Sequence, residues 1–478
     1  MACEQHARSG AGLGQRQALA GPGLRLLSGG GVGRQDDTIA AIATAPGRGG
    51  VGIVRVSGPA ARRLLRGICG REYAEREVHA VKFRAGDGEV LDRGLALFFV
   101  GPASFTGEDV LELHAHGGPA LLRLLLDRCL ELGARPARPG EFTQRAFLNG
   151  KLDLAQAESV ADLIEASTAT AVRAAARNLE GALSKEVEEL ERGLLELRAL
   201  VEAGIDFPDE EGVDLVPEQR LLQDLHGLEE GLDRLLARAR QGLVLREGLH
   251  VVLLGAPNVG KSSLLNRFVG REAAIVTPLP GTTRDALRES LEVGGVPLHL
   301  VDTAGLRPSA DEIEILGMER TRRALAGADL ALVVIAPPAG PQDLPGLLKE
   351  LPQGLPHVVV YNKIDLDGRP AGQSAPGDPP EIGVSAKTGQ GIAELSEAIL
   401  RLGGWHAETG ETLMASARHL QALERTRQHL SKARPLVGER ELFAEELRYG
   451  ERALGEILGQ ALAEDLLEMI FQRFCIGK

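Results

Sequence analysis

The chain has 478 residues, of which 44% are hydrophobic and only 3% aromatic, and its formal net charge is -13 at pH 7. This length predicts about three domains, and cores made of Leu, Val, Ile and Ala favour helices and parallel strands over an aromatic-rich β-sandwich. The acidic balance excludes a protein whose whole surface binds nucleic acid, but a local basic patch is compatible with it.

The four cysteines, Cys3, Cys69, Cys129 and Cys475, are far apart in the sequence and form no CxxC pair. Their spacing predicts neither a zinc site nor a disulfide framework, and a reducing compartment fits best. No apolar run approaches the roughly 20 residues that span a bilayer. We therefore expect a soluble protein with no membrane partner.

Residues 1–35 are rich in Gly, Ala and Arg and lack the apolar core of a secretory signal. We expect this extension to be disordered, and we interpret it as an extended start on a bacterial cytoplasmic protein. An organellar transit peptide is the alternative, and it would place the protein in mitochondria or another organelle.

In residues 36–152, short apolar runs end at glycine-rich turns, which predicts an α+β domain. Its "GRGG" stretch precedes an apolar strand instead of following one, so it is not a dinucleotide-binding fingerprint. His114 and His116 lack the further ligands of a metal site and are interpreted as structural or pocket-lining. Arg55, Glu112 and Lys151, judged alone, would be surface ion-pair formers.

Residues 153–247 have a helical pattern. Leucines and valines recur every three or four residues along two segments, which predicts two amphipathic helices with narrow apolar seams; these residues are Val187, Leu190, Leu194, Leu197 and Val201, then Leu221, Leu225, Leu228, Leu232 and Leu235. Arg238 and Arg240 before Gly242 are typical of a helix C-terminus.

The helical pattern returns in residues 403–478, and neither helical piece is obviously a complete core. The simplest architecture is one helical domain that is interrupted by a domain inserted over residues 248–402. A conformational change of the inserted domain would then move the helices joined to it.

The inserted domain begins with "HVVLLGAPNVGKSSLLNRF", an apolar strand, a glycine-marked turn and a helical pattern. Gly255 and Gly260 let the backbone N–H groups of this GxxxxGKS loop point at phosphate oxygens, and the helix N-terminus adds positive potential. Lys261 would reach the β- and γ-phosphates, and the Ser262 hydroxyl would hold Mg²⁺.

Three later segments complete a GTP site. "DTAG" places Asp302 to reach Mg²⁺ through water and the Gly305 N–H to contact the γ-phosphate. "NKID" supplies Asp365, whose carboxylate can accept both N–H donors of a guanine edge, a pair that adenine lacks. "SAK" at residues 385–387 completes the base pocket.

The segment "TPLPGTTRD" lies between the phosphate loop and "DTAG". Thr283 is placed to close over Mg²⁺ and the γ-phosphate, in a loop that GTP orders and hydrolysis releases. Many small GTPases carry a water-orienting Gln after DxxG, but this chain has Leu306. Glu314 is the candidate acid or base, although an isolated Glu would more often be a solvated helix carboxylate.

These motifs together resemble the MnmE (TrmE) family of tRNA modification GTPases from about Asp36 to Lys478, and the most specific are "PGRGGVGIVR", "SFTGED", "RAFLNGKLDLAQAE", "PGTTRD", "DTAGLR" and the terminal "FCIGK". The resemblance implies a tetrahydrofolate-binding and dimerisation domain, then a helical domain interrupted by a Ras-like P-loop GTPase (G) domain. It also implies a homodimer that works with an FAD-dependent, MnmG-like partner. The pair would use a one-carbon tetrahydrofolate, 5,10-methylene- or 5-formyl-, to install an aminomethyl-type group at C5 of the wobble uridine of certain tRNAs.

By the same resemblance, Arg55, Glu112, Lys151 and Lys478 match the folate-contacting positions. Arg and Lys suit the glutamate-tail carboxylates and Glu suits the pterin donors. The resemblance also implies a K⁺ ion at Asn258, Thr277, Leu279 and Thr282, in the position where other GTPases receive an arginine finger. Glu314 matches the family's proposed water-orienting residue, so the predicted catalytic residues are Glu314, Thr282 and Thr283, with Mg²⁺ at Ser262 and Thr283.

The predicted GTP-binding residues form runs of the G domain: Asn258, Val259, Gly260, Lys261, Ser262, Ser263, Thr277, Pro278, Leu279, Pro280, Gly281, Asp302, Thr303, Ala304, Gly305, Asn362, Lys363, Asp365, Ser385, Ala386 and Lys387. Cys475 lies in the "CIGK" signature, so we expect it to be held near the folate pocket. A packed or shielding thiol is favoured over a nucleophile, because no neighbouring His would make a thiolate.

Two other classes compete with this interpretation. A GTP-dependent switch in RNA or ribosome assembly would carry a basic RNA-binding module such as a KH domain, and neither flank has a GXXG loop in such a unit. A membrane-remodelling GTPase would carry a basic amphipathic or apolar insertion segment, and none is found.

Overall fold

The computed structural model describes residues 37–206, 216–272, 288–302, 325–337, 344–373, 377–406, 412–460 and 462–477. The extension of residues 1–35, for which disorder is predicted, lies outside these ranges. Within them, no helix is both long enough and apolar enough to cross a membrane.

The N-terminal domain is a six-stranded sheet with two helices against one face. Its elements are β1 (Ile39–Ile42), β2 (Gly49–Ser57), α1 (Ala61–Cys69), β3 (His79–Arg84), β4 (Val90–Phe99), β5 (Val110–Gly117), α2 (Pro119–Glu131), β6 (Arg135–Pro136) and α3 (Glu141–Leu148). The strand order is β3-β4-β5-β2-β1-β6, and all neighbours are antiparallel except β1 and β6.

Alternation along the central strands assigns their side chains to two faces. Leu111 and Leu113 of β5 are fully buried in the core shared with α1 and α2, whereas Glu112 and His114, which alternate with them, are half-buried. Because successive strand residues point to opposite faces, Glu112 lies on the face away from the helices. Arg55 of β2 is its direct partner in the antiparallel register.

The chain then becomes helical through α4 (Leu154–Glu165), α5 (Ala169–Leu179), α6 (Ala182–Asp206) and α7 (Glu218–Glu247). Asp153 begins α4 with a capping box, in which its carboxylate accepts from the Gln156 N–H and the Gln156 side chain accepts from the Asp153 N–H. The two predicted seams are confirmed on α6 and α7: all ten residues are buried or partly buried in one core.

The predicted end of a helix at Gly242 is wrong, because α7 continues to Glu247. Gly242 instead lies where the chain that leaves the G domain crosses α7. A Cβ on this glycine would overlap the carbonyl oxygen of Leu413. The glycine therefore permits a close crossing of two backbones and does not cap the helix.

The inserted region contains β7 (Leu249–Leu254), α8 (Lys261–Glu272), β8 (Arg288–Val293), β9 (Val296–Asp302), β10 (Leu330–Ile335), α9 (Leu344–Leu348), β11 (His357–Asn362), α10 (Ile364–Asp367), β12 (Gly372–Gln373), β13 (Glu381–Val384) and α11 (Ile392–Leu402). The sheet order is β12-β13-β11-β10-β7-β9-β8, with parallel pairing from β13 to β9 and antiparallel edge strands. This arrangement brings the carboxyl ends of the parallel strands to one edge, where α/β folds place their ligands.

The last elements are α12 (Ala417–Ala433), α13 (Arg440–Gly455) and α14 (Glu464–Phe471). Helices α12 and α13 share one apolar core with α6 and α7, so helices on both sides of the insertion form one body. Helix α5 differs from the expectation for residues 153–247, because its Ala171, Ala174 and Ala175 pack into the core of the G-domain sheet.

Candidate functional site

The phosphate loop follows β7 and has three residues with positive φ: Gly255 (150°), Asn258 (64°) and Gly260 (93°). A Cβ on Gly255 would overlap the Val334 carbonyl oxygen of β10, so the loop lies close against the sheet. Side chains rarely adopt these angles. Only glycine meets both requirements at position 255.

Lys261 is the first residue of α8, and it is 5% exposed. Its Nζ donates to the carbonyl oxygens of Gly255 at 2.7 Å and Ala256 at 3.0 Å, so the ammonium lies within the curve of the loop. Ser262 and Ser263 follow it in the exposed first turn of α8. The helix N-terminus, the ammonium and the two hydroxyls make a site for phosphate oxygens.

The base side of the site is tied to the phosphate loop by Asn362, the last residue of β11. Its Nδ2 donates to the Val259 carbonyl at 2.9 Å, and its Oδ1 accepts from the Ala386 N–H at 3.1 Å. The next residue, Lys363, has a φ of 64° and donates from Nζ to the Asn258 carbonyl at 2.7 Å. One dipeptide thus holds the phosphate loop and the base loop together.

Asp365 is exposed and receives a hydrogen bond from the Ser385 hydroxyl at 2.7 Å. This hydrogen bond holds the pKa of the Asp365 carboxyl below its usual value, with Lys387 and Lys363 contributing. The carboxylate is therefore ionised and oriented to accept N–H donors. Ser385 was predicted in the base pocket, but its contact with Asp365 joins two loops and had no local signal in the sequence.

Part of the predicted GTP site lies outside the described residues. These positions are Thr277, Pro278, Leu279, Pro280, Gly281, Thr282, Thr283, Thr303, Ala304, Gly305, Leu306 and Glu314. The backbone of Asp302 is described: it ends β9 and pairs with Leu253, just before the phosphate loop. The structure therefore brings together Asn258 to Ser263, Asn362 to Asp365 and Ser385 to Lys387, with the backbone of Asp302 beside them.

A second polar group lies on the N-terminal sheet. Arg55 donates from Nε to Glu112 Oε1 at 2.9 Å, and its Nη2 is also 2.9 Å from that oxygen. The other carboxylate oxygen, Oε2, is 3.1 Å from His114 Nε2. Lys151 lies on a neighbouring loop and donates from Nζ to the Pro102 carbonyl at 3.1 Å.

The segment around Cys475 docks beside this ion pair. Ile476 forms an isolated antiparallel bridge with Pro139, and the Gly140 N–H donates to the Cys475 carbonyl at 3.4 Å. The Gly477 carbonyl accepts from Arg55 Nη1, also at 3.4 Å. The backbone of "CIG" is therefore held at the Arg55 site, but the Cys475 side chain is exposed instead of packed. Lys478 lies outside the described residues.

The two histidines of β5, predicted to be structural or pocket-lining, each contact a carboxylate. His114 contacts Glu112, and His116 Nδ1 is 2.9 Å from Asp92 Oδ1. In the described part of the chain, no three His, Cys, Asp or Glu side chains are grouped closely enough to hold a metal ion.

Sequence reasoning missed Phe105. Its ring centroid is 5.9 Å from the Arg55 Cζ, and the side chain is 40% exposed. The residue belongs to the "SFTGED" motif, whose sequence alone assigns no role to its members. An exposed aromatic inside a signature motif was the available signal.

Two family models match the chain. One, described as the MnmE helical domain, matches residues 154–475, and the other, described as the GTP-binding protein TrmE N-terminus, matches residues 38–151. The tRNA modification GTPase MnmE of Azoarcus sp. (strain BH72) is 51% identical over 447 residues, which cover 93% of this chain and 99% of the relative. The protein of the same name from Neisseria meningitidis serogroup B (strain ATCC BAA-335 / MC58) is 51% identical over 444 residues, with 92% and 99% covered.

Among solved structures, the G domain of the T. maritima FeoB iron transporter is 25% identical and covers 32% of this chain and 96% of its own length, with a TM-score of 0.24. Era of Aquifex aeolicus is also 25% identical, covers 37% of this chain and 65% of its own, and has a TM-score of 0.24.

Proposed function

Because the chain belongs to the MnmE (TrmE) family of tRNA modification GTPases, we propose that its GTP cycle drives a folate-dependent modification of the wobble uridine in certain tRNAs. That the chain is a GTPase of tRNA modification follows from the family. The proposal adds the cofactors, the chemistry and the partners. The observation that carries it is the convergence of Arg55, Glu112 and the Gly477 backbone on one face of the N-terminal sheet.

In the G domain, the described residues of the phosphate loop and of the base pocket have roles in positioning GTP. The phosphate loop and the N-terminus of α8 surround the phosphates, and Lys261 neutralises the β- and γ-oxygens. Asp365 accepts the guanine N–H donors, and Asn362 fixes the distance between the base pocket and the loop. Ser262 would hold Mg²⁺ with Thr283, and when bound the metal stabilises charge that develops on the phosphates.

We place a K⁺ site at the Asn258 end of the same loop, with Thr277, Leu279 and Thr282 as further ligands. Asn258 is exposed with a φ of 64°, and its carbonyl is fixed by Lys363, so its side chain is free to turn outward. A monovalent cation there would supply the positive charge of an arginine finger. Glu314 would orient the attacking water. Many small GTPases use a Gln for this purpose, but this chain has Leu306 at that position.

The K⁺ site is tested by the turnover of GTP in K⁺ and Na⁺ salts of equal ionic strength. The wild-type protein should turn over GTP faster in K⁺, and Asn258→Ala should abolish this difference. Asn149→Ala, at an asparagine of the N-terminal domain, is the matched control and should keep it. Equal turnover of the wild-type protein in both salts contradicts the K⁺ proposal.

The folate part is tested by calorimetric binding of 5-formyltetrahydrofolate to the nucleotide-free full chain. Saturable binding should be weakened by Arg55→Ala, by deletion of Lys478 and by Gly477→Ala. A Cβ on Gly477, whose φ is 95°, would lie 2.5 Å from the Ile42 carbonyl oxygen and would displace the segment from Arg55. Gly50→Ala on β2 is the control, since its Cβ would meet nothing within 4 Å.

Absence of binding by the folded wild-type protein contradicts the folate proposal. The chain would then remain a GTPase of tRNA modification by its family, acting as a GTP-dependent switch without folate chemistry.

The proposed partners are a second copy of the chain, an FAD-dependent MnmG-like protein and tRNA, in the bacterial cytoplasm. Val51 on β2 and Leu124 on α2 are large apolar side chains of the N-terminal domain that are 62% and 53% exposed, so charged substitutions at these positions probe dimerisation through that domain. Sedimentation of Val51→Asp and Leu124→Asp against the wild-type protein tests it: both variants should shift the mass from dimer to monomer.

A further inference from the structure

We propose that Phe105 is a stacking platform for the planar pterin ring of the ligand, and that Glu108 is a positioning residue that holds this platform in place. The inference deepens the proposed folate binding and rests on it. In this arrangement the pterin ring stacks on the exposed face of Phe105, and the hydrogen-bonding edge of the pterin contacts the carboxylate of Glu112.

Phe105 differs from its neighbours in its exposure to solvent. Phe105 is 40% exposed, whereas Thr106 is fully buried. The Thr106 hydroxyl is 2.7 Å from the Ser57 hydroxyl, and the Thr106 carbonyl accepts from Asn149 Nδ2 at 2.7 Å. On the other side, the Ser104 hydroxyl donates to the Glu108 carbonyl. The loop is thus fixed on both sides of an aromatic ring that it leaves open to solvent.

The loop that carries Phe105 is also held by hydrogen bonds and an ion pair of Glu108. Glu108 accepts from the Ser57 hydroxyl at 2.7 Å and from Arg145 Nη1 at 2.9 Å. Arg145 is 8% exposed and also contacts both the carbonyl and the carboxylate of Asp37. Because a buried guanidinium is costly unless its donors are satisfied, this cluster has one favoured geometry. Glu108 transmits that geometry to the loop that carries Phe105.

The Phe105 ring lies beside Arg55. The Arg55 Cζ is 5.9 Å from the ring centroid of Phe105 and 5.8 Å from that of Phe142. Phe142 is fully buried, so of these two rings only Phe105 is open to solvent. Arg55 therefore contacts both the Glu112 carboxylate and an aromatic ring that has an exposed surface.

The chemistry of the pair selects the end of the ligand. Since Arg55 and Glu112 contact each other directly, they would meet the same part of a bound molecule. The 2-amino-4-oxo ring of a pterin presents adjacent N–H donors to a carboxylate and a flat face to an aromatic ring. This differs from the expectation that Arg55 binds the glutamate tail. Lys151, which donates to the Pro102 carbonyl, is the cation that we assign to the tail.

The test is calorimetric binding of three ligands to the full chain: 5-formyltetrahydrofolate, a pterin without a tail, and p-aminobenzoyl-glutamate without a pterin. Phe105→Ala should weaken binding of the first two by roughly 5- to 100-fold and leave the third unchanged. Phe105→Trp should restore binding, and Phe105→Leu should restore only part. Tyr449→Ala, at an aromatic 41% exposed on α13, is the matched control. Basal GTP turnover should be the same in all variants.

The positioning role of Glu108 is tested by a double-mutant cycle. Glu108→Gln should weaken pterin binding in the wild-type background but add nothing in the Phe105→Ala background, because it acts through the ring. A general loss of structure would add in both backgrounds and lower the melting temperature, and that result overturns the positioning role.

The outcomes distinguish a failure of the Phe105 platform from a failure of folate binding. If the wild-type protein binds none of the three ligands, folate binding itself fails. If the wild-type protein binds folate and Phe105→Ala binds it equally well, folate binding stands and the platform is overturned. A loss confined to p-aminobenzoyl-glutamate places the tail on Phe105 and also overturns it.

Discussion

Gly260 connects the phosphate loop to the base pocket through a contact that allows no side chain. Its φ is 93°, and a Cβ would overlap the Asn362 Nδ2. Asn362 cannot move aside freely, because it is held by the Val259 carbonyl and the Ala386 N–H. We expect Gly260→Ala to lower GTP affinity by at least about 10-fold, since it strains the loop and displaces Asn362 together.

Binding of a fluorescent guanine nucleotide measures this effect. Gly346→Ala is the matched control in the same domain, because its Cβ would meet nothing within 4 Å, and it should bind normally. Unchanged affinity of a folded Gly260→Ala protein would contradict the role given to this contact.

A buried charge cluster at the start of α12 predicts a dependence of stability on pH. Glu158 Oε2 contacts His419 Nε2 at 2.6 Å and Arg418 Nη2 at 3.1 Å, and all three side chains are largely buried. Burial lowers the pKa of His419 below 6.5 although Glu158 opposes the shift, and Arg418 and Arg246 add to it. Burial would raise the pKa of Glu158, but His419 and Arg418 together hold it below its usual range.

Proton binding determines the direction in which stability changes with pH. Below pH 6.5 an unfolded His419 takes up a proton that the folded protein does not, so the free energy of unfolding falls as the pH decreases. The loss is at most about 1.4 kcal/mol per pH unit. The contribution of Glu158 is lost only below about pH 4.5. Glu191 and Asp162, whose pKa values burial raises to about 7 and about 6, act in the opposite direction over the same pH range. Between pH 7.5 and pH 5.5, the free energy of urea unfolding of His419→Gln should therefore change in the stabilising direction relative to the wild-type protein. His226→Gln, on the exposed face of α7, should follow the wild-type slope. An equal slope in His419→Gln would exclude His419 as its source.

At the residue scale, the spaced sequence motifs predicted those site residues that local sequence patterns can identify. Lys261 and Asp365 were identified because their neighbours in sequence are also their neighbours in the site. Phe105 and the Ser385–Asp365 bond were not, because their partners lie on other strands and loops. Such contacts depend on tertiary packing, which no local window contains.

At the scale of elements, α7 is locked to the chain that leaves the G domain. The Gln241 side chain donates to the Gly404 carbonyl and accepts from the His406 N–H at 2.9 Å. At Gly242, a Cβ would overlap the Leu413 carbonyl oxygen and lie 2.8 Å from the Ala415 N. The helix that enters the G domain and the segment that leaves it therefore touch through their backbones.

This crossing predicts opposite effects for two glycines of one helix. Gly242→Val should destabilise the protein by roughly 1–3 kcal/mol, because two backbones must separate. Gly227→Ala should stabilise it by about 0.5–1 kcal/mol, since its Cβ meets nothing within 4 Å and alanine favours a helix. Thermal or urea unfolding of both variants checks the pair. A Gly242→Val protein as stable as the wild type would show that the crossing is loose.

The same glycine explains why elements were predicted better than their ends. The seam residues of α6 and α7 repeat every three or four positions, and that periodicity is a property of the helix itself. The position of Gly242 after two arginines imitates a helix end. The reason for this glycine is a segment more than 170 positions later in the chain, which α7 alone does not reveal.

At the scale of the molecule, the G domain and the end of α7 that leads into it contact the helices that precede them in the chain. Arg246 at the end of α7 contacts Asp162 of α4 at 2.8 Å, and the Thr168 hydroxyl donates to the Gly295 carbonyl in the β8–β9 turn at 2.9 Å. The interrupted order of elements was predictable from the recurrence of the helical pattern. The packing of α5 on the G-domain core was not, because its short alanine-rich face fits either domain.

The contact between Arg55 and Gly477 joins residues 422 positions apart. A ribosome delivers Arg55 and Glu112 early, whereas Gly477 follows every strand of the GTP-binding sheet. N-terminal domains generally fold first during synthesis, so the N-terminal sheet can form while Arg55 still lacks this carbonyl. The contact between Arg55 and Gly477 forms only on chains whose G domain has been translated, and a nascent chain that stalls before that point cannot make it. The order of translation itself thus makes this group of residues complete only in chains that carry the GTPase.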